Sequence, residues 1–195
     1  RSKEIMRTLI NKAKANPKRV VFPEGDDDKI LRASQILIDE GIAIPILIGN
    51  EEEIRARIQE LGLDLKDIRI IDPAFAPKRG EYIDELFQLR QRKGITRAEA
   101  KRQIKKNRNY FGAMMVERGD ADALVSGINH HYPDTIRPAL EIIGRLEGLS
   151  KVHGMYMLVF KKDVVFCADT TVDIEPSAEE LAETAILTAT KARHF

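Results

Sequence analysis

This chain of 195 residues holds one cysteine, no tryptophan and almost no net charge. With Cys167 alone no intramolecular disulfide framework can form, so a reducing compartment is the natural setting and the cytoplasm the expected location. Lys and Arg number 32 against 31 Asp and Glu, a net charge of +1. No global field therefore selects nucleic acid or a membrane surface, and a charged partner has to be recognised locally. Long apolar runs are missing as well. The longest, such as Ile42 to Ile48 and Met155 to Phe160, fall far below the about 20 residues that a helical bilayer span needs. The opening, Arg1 to Lys14, is charged throughout and unlike a secretory leader. There is no Gly-Lys-Ser/Thr phosphate loop and no Gly-x-Gly-x-x-Gly turn, which argues against nucleotide or dinucleotide binding within this chain. No Cys-x-x-Cys or His-x-Glu spacing supports zinc. Asp26, Asp27 and Asp28 lack an EF-hand pattern and read more simply as helix-capping acids. No internal repeat or low-complexity tract is present.

What the chain does have is a globular balance of 43% hydrophobic and 32% charged residues. Residues 3–15 show Ile5, Met6, Leu9, Ile10 and Ala13 at helical spacing, ended by Pro17. Arg19 to Phe22 is a short apolar strand leading into Pro23-Glu24-Gly25. The three aspartates then open a helix that carries Ile30, Ala33, Ser34 and Leu37 and stops at Gly41. Ile42 to Ile48 is an apolar strand of the kind buried on both faces, with Pro45 predicting weak pairing in its early part. A charged helix at 51–61 and a strand at Ile68 to Ile71 follow. This alternation predicts an α/β fold: three αβα layers around a mostly parallel sheet.

The middle is helical: 80–92, broken by Gly94; a helix opened by the capping box Thr96 to Glu99; and another at 108–118. Ala123 to Val125 is a buried strand, and Thr135 to Ile143 reads as a helix with Pro138 in its first turn. Beyond Gly144 to Gly148 the texture changes. Val152 to Phe160 and Val164 to Ala168 read as a hairpin, with His153 a structural histidine on the first strand and Cys167 a core residue on the second. Pro176 to Glu180 opens a last helix with a second capping box. The expected domains are 1–144 and 145–195. Two strands and a helix rarely make an independent core, so the second domain is expected to be truncated.

The most informative stretch runs Val125-Ser126-Gly127-Ile128-Asn129-His130-His131-Tyr132-Pro133-Asp134-Thr135-Ile136-Arg137-Pro138-Ala139-Leu140. It is a strand, a glycine turn, a polar loop and a helix start, the place where open α/β folds hold ligands. Ser126 and Thr135 offer hydroxyls and Arg137 a bidentate fork for phosphate or carboxylate. Two readings are open on physics alone: an anion site, or an ordinary strand-to-helix loop capped by Asp134 or Thr135 with a surface arginine.

The stretch resembles the Ser-Gly-x-x-x-x-x-x-x-Thr-x-Arg-Pro-Ala-Leu signature of phosphate acetyl/butyryltransferases. Val20 to Gly25 is similar to that family's first strand and turn, Leu89 to Gly94 with Thr96 to its helical insert, and Phe111 to Val116 before Gly119 to Asp122 to the helix preceding the signature strand. Phe166 to Asp169 with Pro176 to Ala182 resembles the entry to its second domain. The resemblance covers nearly the whole chain. It implies a fold like the isocitrate/isopropylmalate dehydrogenases, two α/β domains flanking a cleft, and a homo-oligomer, at least a dimer. It implies an enzyme that moves an acetyl group between coenzyme A and phosphate. Arg90 and Arg137 would bind phosphate or the coenzyme, with Ser126, Gly127, Asn129 and Thr135 lining the same cleft.

Two departures qualify what is implied. Where the family's acetyltransferases usually carry small residues, this chain has His131-Tyr132-Pro133, which resembles the variant in the C-terminal domain of bacterial NADP-dependent malic enzymes. There the transferase-like domain senses acetyl-CoA. The opening Arg1 to Arg7 resembles the junction between malic domain and this module. The family's catalytic serine and aspartate belong to a C-terminal segment that this sequence does not contain, so no catalytic residue is assigned here. The first expectation is therefore an acetyl-CoA-sensing regulatory and oligomerisation domain, with NADP and a divalent metal confined to the parent's other domain. The alternative is the N-terminal part of an active phosphate acetyltransferase. A purely structural dimerisation unit is the third reading. A basic run from Arg90 to Arg108, set against the single acid Glu99, fits either a ligand's phosphates or a solvated helical face; no aromatic residue interleaves it, which disfavours nucleic acid.

Overall fold

The computed structural model describes residues 2–169, 172 and 174–194. Arg1, which begins the opening that resembles a malic-domain junction, and Phe195 lie outside the described residues. The chain forms two compact units. One is Asn16–Gly144; the other joins the residues up to Ala15 with those from Arg145 onward.

In the larger unit β1 (Lys18–Phe22), α2 (Asp28–Asp39), β2 (Ala43–Ile48), α3 (Glu51–Glu60) and β3 (Arg69–Ile71) alternate, as the sequence predicts. Three helices follow, α4 (Arg79–Arg90), α5 (Arg97–Lys106) and α6 (Arg108–Glu117), then β4 (Ala123–Leu124) and α7 (Tyr132–Ile142). The sheet is wholly parallel in the order β3-β2-β1-β4. Period-two side-chain alternation splits the core into two layers. Val21, Ile46 and Ile48 pack with Leu86 of α4, Ile104 of α5 and Phe111 and Met114 of α6. Phe22 and Leu47 pack on the other face with Ile30 and Leu31 of α2 and Ile54 and Ile58 of α3. This is the three-layer αβα arrangement expected. Helix α6 lies so close to the sheet that a Cβ at Gly112 would stand 2.5 Å from Leu124 Cδ1 and 3.1 Å from Val21 Cγ1.

Local chemistry sets the ends of these elements. Asp27 caps α2 by accepting from Lys29 N at 2.8 Å. Thr96 caps α5 by accepting from Glu99 N, but the Glu99 carboxylate turns to Arg102 and Gln103, so only half of the expected box forms. Pro45 pairs with Val20 of β1, and β3 joins only from Ile46 onward. The proline's lack of an N–H thus limits one edge of β2 and leaves the other intact.

Helix α7 departs most from expectation. It starts at Tyr132, three residues before Thr135, with His131 as its N-cap and no side-chain capping bond. Pro133 occupies the first turn, where proline is tolerated. Pro138 is thereby placed inside the helix, where its missing N–H would leave the Asp134 carbonyl unmatched. The Asn109 side-chain amide of α6 donates to that carbonyl at 3.4 Å.

The smaller unit holds α1 (Ser2–Ala15), the hairpin strands β5 (Met155–Val159) and β6 (Val164–Ala168), and α8 (Ala178–Ala192). The strands pair antiparallel from Met155↔Ala168 to Val159↔Val164. A full capping box between Ser177 and Glu180 opens α8, as predicted. His153 lies before β5 and not on a strand: its Nε2 is 3.1 Å from Glu183 Oε2 and its Nδ1 2.8 Å from Thr184 Oγ1, bonds to α8 that draw the segment out of the hairpin ladder. Lys12 of α1 donates to the His194 carbonyl, which places the first helix with the C-terminal elements.

Candidate functional site

The order β3-β2-β1-β4 contains a reversal. From β1 the chain builds outward through β2 to β3, then returns to add β4 on β1's other side. In parallel sheets ligands bind beyond the carboxyl ends of strands flanking such a switch. Here those ends are Glu24, two residues past β1, and Ser126-Gly127, two residues past β4.

Glu24 is 3% exposed. Its Oε1 accepts from Gly127 N at 3.0 Å and lies 2.9 Å from His130 Nδ1 and 3.2 Å from Ser126 Oγ. Ser126 Oγ is also 2.7 Å from Asn109 Oδ1, so one hydroxyl proton serves two acceptors. Burial opposes ionisation of Glu24, but the bonds from His130, Gly127 and Ser126 outweigh it and hold the carboxyl below its ordinary value. Its second oxygen, Oε2, is buried without a hydrogen-bond partner, and so is Thr135 Oγ1. Gly127 sits at φ +119, a conformation that needs glycine. Asn129 Nδ2 donates to Asp27 Oδ2 at 3.0 Å, fastening the loop to the start of α2.

A second cluster forms where α4, α6 and α7 meet. Tyr110 donates to Glu141 Oε2 at 2.6 Å, and Arg90 Nη2 lies 3.5 Å from Glu141 Oε1. Burial, then the bond to Glu141 and its negative charge, push the Tyr110 phenol up, while Arg137 and Arg90 act against that shift electrostatically. Arg90 meets Glu141 directly, and Arg137 precedes Glu141 by one turn of α7. Arg137 itself is exposed.

The six predicted residues thus fall into two groups. Ser126, Gly127 and Asn129 surround Glu24 and Asp27, with Thr135 behind Gly127; Arg90 faces Glu141, and Arg137 lies one turn before Glu141 on α7. Asn109 and Tyr110, neighbours in α6, connect the two. A cavity of about 470 Å³ beside His130, Asn109 and Asp134 is lined also by Arg102, Lys106 and Arg108. A larger cleft of about 1070 Å³ lies at β3, around Arg69, Asp72 and Phe75, and none of the six lines it. Sequence reasoning did not single out Glu24, Asn109, Tyr110 or Glu141 as site residues. The position of Glu24 directly past an apolar strand was the available signal for it, as was the one-turn spacing of Glu141 from Arg137. Of the basic run, Arg97 pairs with Asp84, Arg102 with Glu99 and Arg108 with Asp26, so two of these cations meet acids remote in sequence.

Chemically, the arrangement sets Arg90 against the Glu141 carboxylate and commits the Ser126 hydroxyl to Glu24 and Asn109 and the Gly127 amide to Glu24. An ionised Glu24 with a lowered pKa is a poor general base for Ser126. Among the described residues no three His, Cys, Asp or Glu side chains converge as a metal site would require. No helix among them is long and apolar enough to cross a membrane.

Comparison with known proteins agrees with this fold. Residues 4–195 match the family described as Phosphate acetyl/butaryl transferase. A phosphate acetyltransferase of Nitratidesulfovibrio vulgaris is 41% identical over 187 residues, covering 96% of this chain and 26% of that protein. An NADP-dependent malic enzyme of Escherichia coli is 38% identical over 193 residues, covering 97% of this chain and 25% of the enzyme. The chain thus spans about a quarter of each of these relatives. A phosphotransacetylase from Streptococcus pyogenes superposes with a TM-score of 0.90 at 34% identity, over 98% of this chain and 58% of that one.

Proposed function

The chain belongs to the phosphate acetyl/butaryl transferase family, and from that premise we propose that it is a phosphotransacetylase-like module that binds acetyl-CoA as an effector within an NADP-dependent malic enzyme. Arg90 and Arg137 take the ligand's phosphate groups, and Ser126, Gly127, Asn129 and Thr135 line the cleft beside them. Malate decarboxylation, with NADP and a divalent metal, belongs to residues outside this chain. The module also contributes a contact between copies of the parent.

The observation that carries this reading is the loop of rings at the start of α7. His130 is held by the buried Glu24, His131 is the N-cap, and Tyr132 and Pro133 form the first turn. On this reading the bulk of His131-Tyr132-Pro133 fills the thiol end of the cleft, so that the ligand is bound and not turned over. The 38% identity to a malic enzyme over nearly the whole chain supports the same reading.

The 41% identity to a phosphate acetyltransferase favours a second reading: the N-terminal part of an enzyme transferring acetyl between coenzyme A and phosphate. One experiment separates the two. Acetyl-CoA, with desulfo-CoA as a control, is titrated calorimetrically into the full-length parent, alongside an assay for acetyl phosphate formation. Binding without turnover is the expected result. Turnover replaces the first reading with the second, and absence of binding removes both.

A further inference from the structure

Glu141 faces both Tyr110 and Arg90, one helical turn beyond Arg137 on α7, and it is held there. Tyr110, 5% exposed and anchored in the core face of α6, donates to its Oε2 at 2.6 Å. The other oxygen faces Arg90 Nη2 at 3.5 Å, a gap longer than a charge-assisted hydrogen bond. Arg137 and Glu141 are one turn apart on α7 and so share a face of that helix. Glu141 and Arg90 are each partly buried, with side chains 24% and 27% exposed, which preserves more of their mutual attraction than open solvent would.

We propose that Glu141 is a built-in counter-anion for Arg90, which a phosphate-bearing ligand has to displace and which sets the module against free inorganic phosphate. The proposal rests on the reading of Arg90 and Arg137 as the anion-binding pair. With Glu141 in place, two guanidinium groups and one carboxylate give the seat a net charge of +1; without it the charge is +2. A small dianion has only these contacts to offset the carboxylate it disturbs. A coenzyme-sized ligand brings further contacts to the Ser126 loop and tolerates the same cost. The loose 3.5 Å contact suits this role: the tyrosine fixes the carboxylate, and the arginine remains free to turn to another anion.

The test is a calorimetric titration of inorganic phosphate and of coenzyme A into the full-length parent and its Glu141→Gln, Glu141→Ala and Arg137→Ala variants, each first checked for native circular dichroism. Glu141→Gln is expected to bind phosphate about five- to tenfold more tightly, with a smaller change for coenzyme A, the scale of one lost competing ionic contact. Glu141→Ala, which keeps no hydrogen-bonding head, is expected to gain in the same direction and serves if the glutamine variant misfolds. Arg137→Ala is expected to lose phosphate binding. Phosphate affinity unchanged or weakened in both Glu141 variants, with Arg137→Ala still losing it, overturns the counter-anion role and leaves the arginine pair standing. Phosphate binding that ignores Arg137→Ala, or is absent from every variant, overturns both.

Discussion

Among the described residues, the groups that meet the Glu24 carboxylate come from 102 to 106 positions further along the chain, at Ser126, Gly127 and His130. This separation explains why the loop could be read in the sequence and its anchor could not. Ser126, Gly127 and Arg137 belong to a contiguous motif, whereas Glu24 acquires meaning only once β1 and β4 are neighbours. Glu24→Ala would leave the Gly127 N–H and the His130 ring without this acceptor, while Ser126 keeps Asn109, so it is expected to cost about 1–3 kcal/mol, read as a lower urea midpoint at unchanged slope. The pH dependence has a definite sign. The folded carboxyl titrates below its ordinary 4.5, so the unfolded chain binds the proton more readily. The stabilisation is present above that value and is lost as pH falls through the folded one. Thermal midpoints between pH 7 and pH 3 should therefore fall less steeply for Glu24→Gln than for the native chain. Parallel slopes would show that Glu24 is not a source of the acid sensitivity.

Helix α7 shows what periodicity can and cannot locate. The alternation of strands and helices from Lys18 to Ile71 was legible because each element carries its own repeat, of two or of 3.6 residues, and its own caps. The start of α7 was not. Pro138 read as a first-turn proline, which put the helix start at Thr135, but a side chain from another helix makes an interior proline tolerable. Asn109 is 2% exposed; its amide donates to the Asp134 carbonyl and its oxygen lies 2.7 Å from Ser126 Oγ. Asn109→Ala should cost about 1–3 kcal/mol, because it leaves buried polar groups unpaired. Pro138→Ala restores an N–H that can reach Asp134 within the helix, so the double variant should recover part of that loss. A double-mutant cycle by urea denaturation measures the coupling. Additive losses would mean that Asn109 does not stand in for the missing donor.

The whole molecule divides unevenly. Parallel layers were predictable from element order, and so was the antiparallel hairpin after Gly144. The grouping of α1 with that hairpin was not, since a contact such as Lys12 to His194 bridges positions 182 apart and leaves no trace in local pattern. Burial differs sharply between the units. Every fully buried hydrophobic side chain among the described residues lies between Val21 and Ile142, in the larger unit. Among the described residues of the smaller unit only Thr184 is buried, while Tyr156, Phe160, Leu181 and Ile186 are half exposed or more. Apolar burial is the main source of resistance to opening, at roughly 25 cal/mol per Å² removed from water. Segments with few buried contacts therefore open at lower free energy than core strands do. Amide exchange on the isolated 195-residue chain should accordingly show β1 and β2 exchanging only through full unfolding of their unit, with β5 and β6 exchanging through smaller, less denaturant-dependent openings. If the hairpin amides are protected as strongly as those of β1 and β2, and with the same denaturant dependence, the two units unfold as one and the difference in burial does not govern local stability.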